Sequence, residues 1–248
     1  MNIGDYVVRK KYNGDILFEI LDIRNGICYL RGVELRLIAD SPIDDLELSY
    51  VQQQKEDHFT LTRQPMMRGK VLHLDGDEKY LKICAKKYKE LKIMADCYFL
   101  KENEMKYHVV QLLEKHRPHI LVITGHDALR RGQDQNDMSS YQHSIDFVQT
   151  IKLARQYQDD KDALIIIAGA CQSYYEVLLA SGANFASSPK RMNIHALDPV
   201  YIASLVANES VKNYCDIEDM INHTSHKQEG MGGIDTKGVA RRIYPMKG

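Results

Sequence analysis

Two periods of apolar and polar positions divide the chain. Residues 1–47 alternate the two in short pieces, Tyr6-Val-Val-Arg, Ile16-Leu-Phe-Glu-Ile-Leu-Asp-Ile, Ile27-Cys-Tyr-Leu and Leu35-Arg-Leu-Ile. A period of two suits strands with one buried face, and Asn13-Gly14, Asn25-Gly26 and Arg31-Gly32 between the pieces carry the chemistry of hairpin turns. A small SH3-like β-barrel of consecutive antiparallel strands is expected there. Residues 48–69 turn polar, with Gln52-Gln53-Gln54-Lys55-Glu56-Asp57 and Thr62-Arg63-Gln64-Pro65. Few of these side chains can bury anything, which predicts an exposed linker open to proteolysis.

From residue 70 to 248 the pattern changes to alternating strands and helices. The apolar runs predict strands over 71–74, 95–100, 120–124, 164–168 and near 184–186. Between and after them, 3.6-residue periodicity predicts helices over 78–91, 103–116, 141–157, 172–181 and 199–208. Such alternation implies an α/β three-layer sandwich, a parallel sheet with helices on both faces and right-handed crossovers. The tail, Glu229-Gly-Met-Gly-Gly-Ile-Asp-Thr-Lys-Gly, reads as glycine-rich and irregular.

The chemistry gathers at two strand ends. His119-Ile-Leu-Val-Ile-Thr-Gly-His126-Asp127 and Ala163-Leu-Ile-Ile-Ile-Ala-Gly-Ala-Cys171-Gln-Ser are branched aliphatic runs, as in strands buried on both faces. Each stops in small residues just before a reactive side chain. In an open parallel sheet the carboxyl ends of the strands share one edge, where ligand crevices form, so Cys171 and His126 are expected in one site. A thiol with a neighbouring imidazole is the minimum machinery of a cysteine hydrolase. With a helix beginning near Gln172, its dipole and His126 would both favour the thiolate. A lone cysteine is more often a buried packing residue; the histidine on the adjoining strand shifts the balance.

Other residues fall at the same edge. Asp75 and Asp77 follow the first strand of the sheet, placed to receive a basic side chain or a divalent cation, while Asp77 equally suits the N-cap of the helix beginning near Glu78. Gly169 and Ala170 leave room for a substrate backbone. Ser187 and Ser188 follow the short fifth strand, where an extended backbone can pair with a substrate strand. The amides of Cys171 and of the turn holding Gly125 and Asp127 are the expected oxyanion donors. His223-x-x-His226 lacks companion ligands, and Gly230-Met-Gly-Gly fits no phosphate-loop or dinucleotide fingerprint, so neither metal nor cofactor is expected.

Bulk properties exclude little else. With 248 residues, 44% hydrophobic, 27% charged and a net charge of -1, the chain is neither nucleic-acid-seeking nor membrane-seeking. Five scattered cysteines, Cys28, Cys84, Cys97, Cys171 and Cys215, fit free thiols better than a disulfide framework. The start, Met1-Asn2-Ile3-Gly4-Asp5, lacks a secretory pattern, which predicts cytoplasmic synthesis. Nothing in the pattern bears on oligomeric state.

An apolar run ending in His, then another ending in Ala-Cys, resembles the caspase-like cysteine peptidases, a group that includes clostripain, gingipain and legumain; Gly169-Ala170-Cys171-Gln172 is similar to their Gln-Ala-Cys motif. More closely, the chain resembles the YabG sporulation peptidases of spore-forming bacteria. That resemblance is carried by Ile3-Gly-Asp-Tyr-Val-Val-Arg-Lys, Leu35-Arg-Leu-Ile-Ala-Asp, Lys70-Val-Leu-His-Leu-Asp-Gly-Asp, Val122-Ile-Thr-Gly-His-Asp, Ile167-Ala-Gly-Ala-Cys-Gln-Ser, Asn184-Phe-Ala-Ser-Ser-Pro-Lys-Arg and Ile194-His-Ala-Leu-Asp-Pro-Val-Tyr. It implies a caspase-like peptidase domain, Cys171 as nucleophile and His126 as base. It also implies spore-coat and germination-related substrates, cleavage after arginine or lysine, and residence in the mother-cell cytoplasm and then the spore coat. Self-cleavage at Arg63 or Arg68 in the polar linker is a further expectation. Asp127 departs from the wider pattern, which has glycine after the histidine. A rival reading is a receiver-like signalling or partner-binding module, with Asp75, Asp77, Asp127 and Lys190 forming a magnesium and phosphate pocket; such a module has no use for Cys171.

Overall fold

The computed structural model describes residues 1–50 and 66–245. Arg63 and most of the polar stretch lie outside the described residues. The chain divides into two compact units, residues 1–59 and 60–248.

In the first unit, β1 (Tyr6–Arg9), β2 (Leu17–Arg24), β3 (Ile27–Gly32), β4 (Ile38–Pro42) and β5 (Leu46–Leu48) form one antiparallel sheet in the order β4-β3-β2-β1-β5. Alternate residues Val7, Phe18, Ile20, Cys28 and Leu30 point into its core with Leu46, as a period of two requires. The fourth strand starts later than the 35–38 run suggests. Gly32 stays in β3, and its N–H donates to the Leu37 carbonyl at 2.7 Å, closing residues 33–37 into the turn. A Cβ at Gly32 would lie 2.3 Å from the Leu35 carbonyl oxygen, so the turn itself requires glycine.

Among the described residues of the second unit the first element is β6 (Met66–Met67), so the last part of the stretch read as linker is structured. Its central elements follow as β7 (Val71–Asp75), α1 (Glu78–Glu90), β8 (Ala95–Phe99), α2 (Glu102–His116), β9 (Ile120–Thr124), α3 (Ser144–Tyr157), β10 (Ile165–Ala168), α4 (Tyr175–Ala180), β11 (Phe185–Ser187), α5 (Asp198–Asn208), α6 (Ile217–Asn222), α7 (Lys227–Gly230), β12 (Met231–Gly233) and β13 (Arg241–Arg242). The sheet order is β12-β11-β10-β9-β7-β8, parallel except for the antiparallel β12 at one edge. Strands β6 and β13 pair separately.

Successive residues of the buried strands serve opposite faces. Val71, Ile120, Val122, Ile165 and Ile167 pack with Cys84 and Tyr88 of α1 and with Val200 and Ala203 of α5. Leu72, Leu74, Leu121, Ile123 and Ile166 pack with Met105 and Val109 of α2 and with Phe147 and Ile151 of α3. The mixed α/β layering read from the sequence is therefore present, with helices on both faces of a mostly parallel sheet.

Several elements differ from expectation; helix α3, for one, starts at Ser144, three residues later than the pattern suggests. The tail contributes β12 instead of an irregular segment, because added Cβ atoms at Gly232 and Gly233 would lie 2.3 Å from the Tyr175 hydroxyl oxygen and 2.4 Å from the Phe185 ring; glycine permits the approach. Helix α4 starts at Tyr175, three residues later than expected. Gln172 adopts a left-handed φ of 55°, which no helix continues through.

Candidate active site

The sheet order turns between β7 and β9. Strand β8 follows β7 on one side, and the chain returns to place β9, β10 and β11 on the other. Crevices open at such a switch point, beyond the carboxyl ends of the strands. Asp75 and Asp77 leave β7 there, Gly125, His126 and Asp127 leave β9, and Gly169, Ala170 and Cys171 leave β10. Ile123 pairs with Ala168 across β9 and β10, and the Gly169 N–H donates to the Ile123 carbonyl at 3.0 Å, so the two loops depart side by side.

His126 is held from two directions. Its Nε2 lies 3.0 Å from Asp77 Oδ2, and Tyr80 packs edge-on against its ring at 5.9 Å between centroids. A carboxylate can only accept, so Nε2 carries the hydrogen and Nδ1 is left as the basic nitrogen. Its backbone N–H donates to Glu102 Oε1 at 2.7 Å. Glu102, at the start of α2, is buried over two glycines: a Cβ on Gly76 or Gly125 would come within 2.0 or 2.5 Å of its Oε1. No sequence motif singles out Glu102, although the paired glycines at adjoining strand ends signal that some group approaches closely.

The aspartates expected to meet a basic side chain have internal partners instead. Asp75 is fully buried; Oδ1 accepts the Asp77 N–H at 2.9 Å and Oδ2 the Thr124 hydroxyl at 3.0 Å. Asp77 accepts the Lys79 and Tyr80 N–H groups with Oδ1, the cap of α1, and meets His126 with Oδ2. Both carboxylates therefore engage partners within the chain itself, beside which any added basic group or cation would have to fit.

Behind them, His73 Nε2 lies 2.7 Å from Thr124 Oγ1, and His73 Nδ1 lies 3.2 Å from the Tyr88 hydroxyl. Donor atoms of His73, Asp75 and Cys84 fall within 4.8 Å of one another, a set that a soft divalent cation could use. Each already has a protein partner, the Cys84 thiol donating to the Ala196 carbonyl at 3.5 Å.

Asp127, the residue after His126, turns its side chain inward. Oδ1 accepts the Ala128 and His143 N–H groups at 2.9 and 2.8 Å, and Oδ2 accepts the hydroxyls of Ser144 and, at 2.9 Å, Ser173. Burial pushes this carboxyl above the usual range against the pull of those donors. Ser173 Oγ in turn accepts the Ala170 N–H at 2.9 Å, and Gln172 Oε1 accepts the Leu129 N–H at 3.2 Å. The histidine loop and the cysteine loop are thus bonded directly to each other.

Cys171 is 1% exposed. Its sulfur accepts the Ile194 N–H at 3.3 Å and faces the Ile194 carbonyl at 3.9 Å. Because α4 begins at Tyr175 and has six residues, the thiol does not occupy a helix N-terminus, and the expected dipole contribution is absent. Gly169 is required by its φ of 110° and by Leu178 and Ser187, which fill the space a Cβ would take. Ser187 and Ser188 are buried. Ser187 pairs with Met231 of β12, and Ser188 Oγ accepts the Gln172 N–H at 3.1 Å, so the covered β11 edge is not open to a substrate strand. Arg68 donates to the carbonyls of Leu91 and Lys92 at 3.0 and 3.3 Å.

Among the described residues, no helix is long and apolar enough to cross a membrane. A GDP-L-fucose synthetase from Naegleria fowleri is similar over 45% of this chain and 34% of its own, at 18% identity and a TM-score of 0.26; its NADP-bound form gives 46%, 36%, 18% and 0.27. Overlap this loose carries no argument. The sporulation-specific protease YabG of Bacillus subtilis (strain 168) is 39% identical over 284 aligned positions, covering 99% of this chain and 98% of that protein. The family described as YabG peptidase U57 matches residues 2–66 and 51–245. The chain belongs to the YabG peptidase family.

Proposed function

We propose that this chain is a cysteine endopeptidase of sporulation, cutting spore-coat and germination-related proteins after arginine or lysine. One relation carries the reading: parallel neighbours β9 and β10 end side by side, His126 follows one and Cys171 the other, and Asp127 and Ser173 bond the two loops together. In this reading the unit is a caspase-like domain, and the antiparallel sheet before it is an SH3-like module.

The chemistry is acyl transfer. His126 Nδ1 takes the thiol proton, Cys171 Sγ adds to the scissile carbonyl carbon, and the carbonyl electron pair moves onto oxygen. Backbone N–H groups of Cys171 and of the turn at Gly125 and Asp127 receive that oxyanion; the His126 N–H is held by Glu102. The pair returns, the C–N bond breaks, and the amine leaves with the proton from the imidazolium. Water, deprotonated by Nδ1, then attacks the thioester and releases the acid and the thiolate. Asp77 holds the ring so that Nδ1 performs both transfers.

Self-processing at Arg63 or Arg68 belongs to the same reading; the Arg68 guanidinium donates to the carbonyls that follow α1. Residence in the mother-cell cytoplasm and then in the coat completes the proposal. Cys171→Ala and His126→Ala are each expected to abolish cleavage of coat-protein extracts; cleavage retained by either variant removes these residues from the mechanism.

A further inference from the structure

A nucleophile 1% exposed cannot meet a peptide bond, so what covers it decides how the site works. The cover is the segment after β11. Besides the Ile194 contacts to the sulfur, the Met192 carbonyl accepts the Gln172 N–H at 3.0 Å and the Ser188 hydroxyl at 2.7 Å, and Gln172 Nε2 reaches Asn193 Oδ1 at 3.5 Å. Ser188 and Arg191 bend the segment at left-handed φ values of 67° and 53°, unfavourable for side chains of this kind, so contacts elsewhere must hold it.

Arg191 supplies those contacts. The rings of Tyr141 and Tyr174 stack at 4.9 Å and 15°, and the guanidinium carbon lies 5.7 and 5.1 Å from their centroids. Nε donates to the Tyr141 hydroxyl at 2.6 Å and Nη2 to Glu176 at 2.5 Å, while Nη1 reaches the Ser188 and Pro189 carbonyls at 3.4 and 3.3 Å. Two aromatic rings and a carboxylate arranged around a guanidinium make a recognition site for arginine. Tyr174 and Glu176 stand three and five positions beyond Cys171 in the chain.

We propose that the Tyr141, Tyr174 and Glu176 clamp is the site for a substrate's basic side chain, and that residues 188–194 are an inhibitory strap whose own Arg191 fills it while Ile194 covers the thiol. The proposal rests on the proteolytic reading above. A substrate arginine entering the clamp displaces Arg191, and the strap, losing its anchor, uncovers the sulfur. Binding and exposure of the nucleophile are then linked, because the ligand favours the uncovered state.

The full chain tests this with two readouts, alkylation of Cys171 by iodoacetamide followed by peptide mapping, and cleavage of peptides differing only in Arg or Gln before the scissile bond. Losing one charge-assisted contact at the anchor is expected to raise the alkylation rate about tenfold in both Arg191→Ala and Glu176→Gln. Arg191→Ala retains the preference for Arg peptides, and Glu176→Gln loses about tenfold of it. Alkylation unchanged in both variants overturns the strap; preference unchanged in Glu176→Gln overturns the clamp. The Glu176 side chain is 60% exposed, so its variant folds even if Arg191→Ala does not. Alkylation cuts no peptide bond, so faster alkylation in a chain that cleaves nothing supports the strap and counts against the proteolytic reading alone.

Discussion

Asp77 joins His126 to helix α1: one carboxylate oxygen lies 3.0 Å from the imidazole Nε2, and the other accepts the first free N–H groups of the helix at 2.8 and 3.2 Å. A single side chain therefore sets both where α1 begins and which nitrogen of His126 is basic. Asparagine caps a helix about as well as aspartate, whereas its amide does not select the Nε2-protonated tautomer. Asp77→Asn is expected to keep the melting temperature within a degree or two of wild type while lowering kcat by at least about tenfold. Asp77→Ala, which loses the cap too, should also lose about 1 kcal/mol of stability. Paired calorimetry and kinetics check both, and equal stability losses with unchanged kcat would remove Asp77 from the site.

Ser173 spans the gap between Asp127 and the Ala170 N–H, both buried. Ser173→Ala leaves that N–H without its acceptor and Asp127 with one donor fewer, at a cost of about 1–3 kcal/mol. Activity should fall further than stability accounts for, since the bridge fixes the cysteine loop against the histidine loop. A double-mutant cycle with Asp127→Asn is expected to give a coupling energy of at least about 0.5 kcal/mol in both unfolding and kcat. Additive losses would show that the two loops hold their places independently.

Gly125 lies under Glu102, and a methyl group there would come 2.5 Å from Oε1 and 3.0 Å from the carbons behind it. Glu102 is buried and cannot swing into solvent, so Gly125→Ala is expected to destabilise by about 1–3 kcal/mol and to displace the His126 backbone. Trimming the opposing side chain relieves the clash, so Glu102→Ala combined with Gly125→Ala should be more stable than the sum of the single changes. Urea unfolding of the four proteins measures this.

The strands were legible because their signal is local. The runs at 120–124 and 165–168 are long, aliphatic and stopped by glycine, and the Leu74-Asp-Gly-Asp77 end of β7 carries its helix cap in the next residues. Features built from distant partners were not legible. Gln-Ser-Tyr-Tyr after Cys171 reads as a helix start, yet the Ser144 hydroxyl accepts the Tyr174 N–H and Ser173 is taken by Asp127, so α4 begins later. The glycines at 232 and 233 look like loop composition until Tyr175 and Phe185 are placed against them. The Arg191 clamp draws on positions 141, 174, 176 and 191, and no short pattern connects them.

Alkaline conditions separate the cysteines. Burial, reinforced by Glu209 and Asp162, pushes the Cys215 thiol up to about 12, and burial with Asp96 and Asp75 pushes Cys97 up to about 11, against an ordinary value of 9.0. For an acid whose pKa is raised by folding, the native state keeps a proton that the unfolded chain releases. Stability contributed by these thiols is therefore constant below pH 9 and declines as pH rises from 9 towards 11 and 12. The melting temperature of wild type should fall faster across that window than that of a Cys97→Ala, Cys215→Ala double variant. The comparison is of slopes, because the smaller alanines lower stability at every pH by the packing they remove. At neutral pH both thiols stay protonated, so iodoacetamide should leave them unmodified in peptide maps; parallel slopes, or ready modification of Cys215 at neutral pH, would show that the native state does not shelter them.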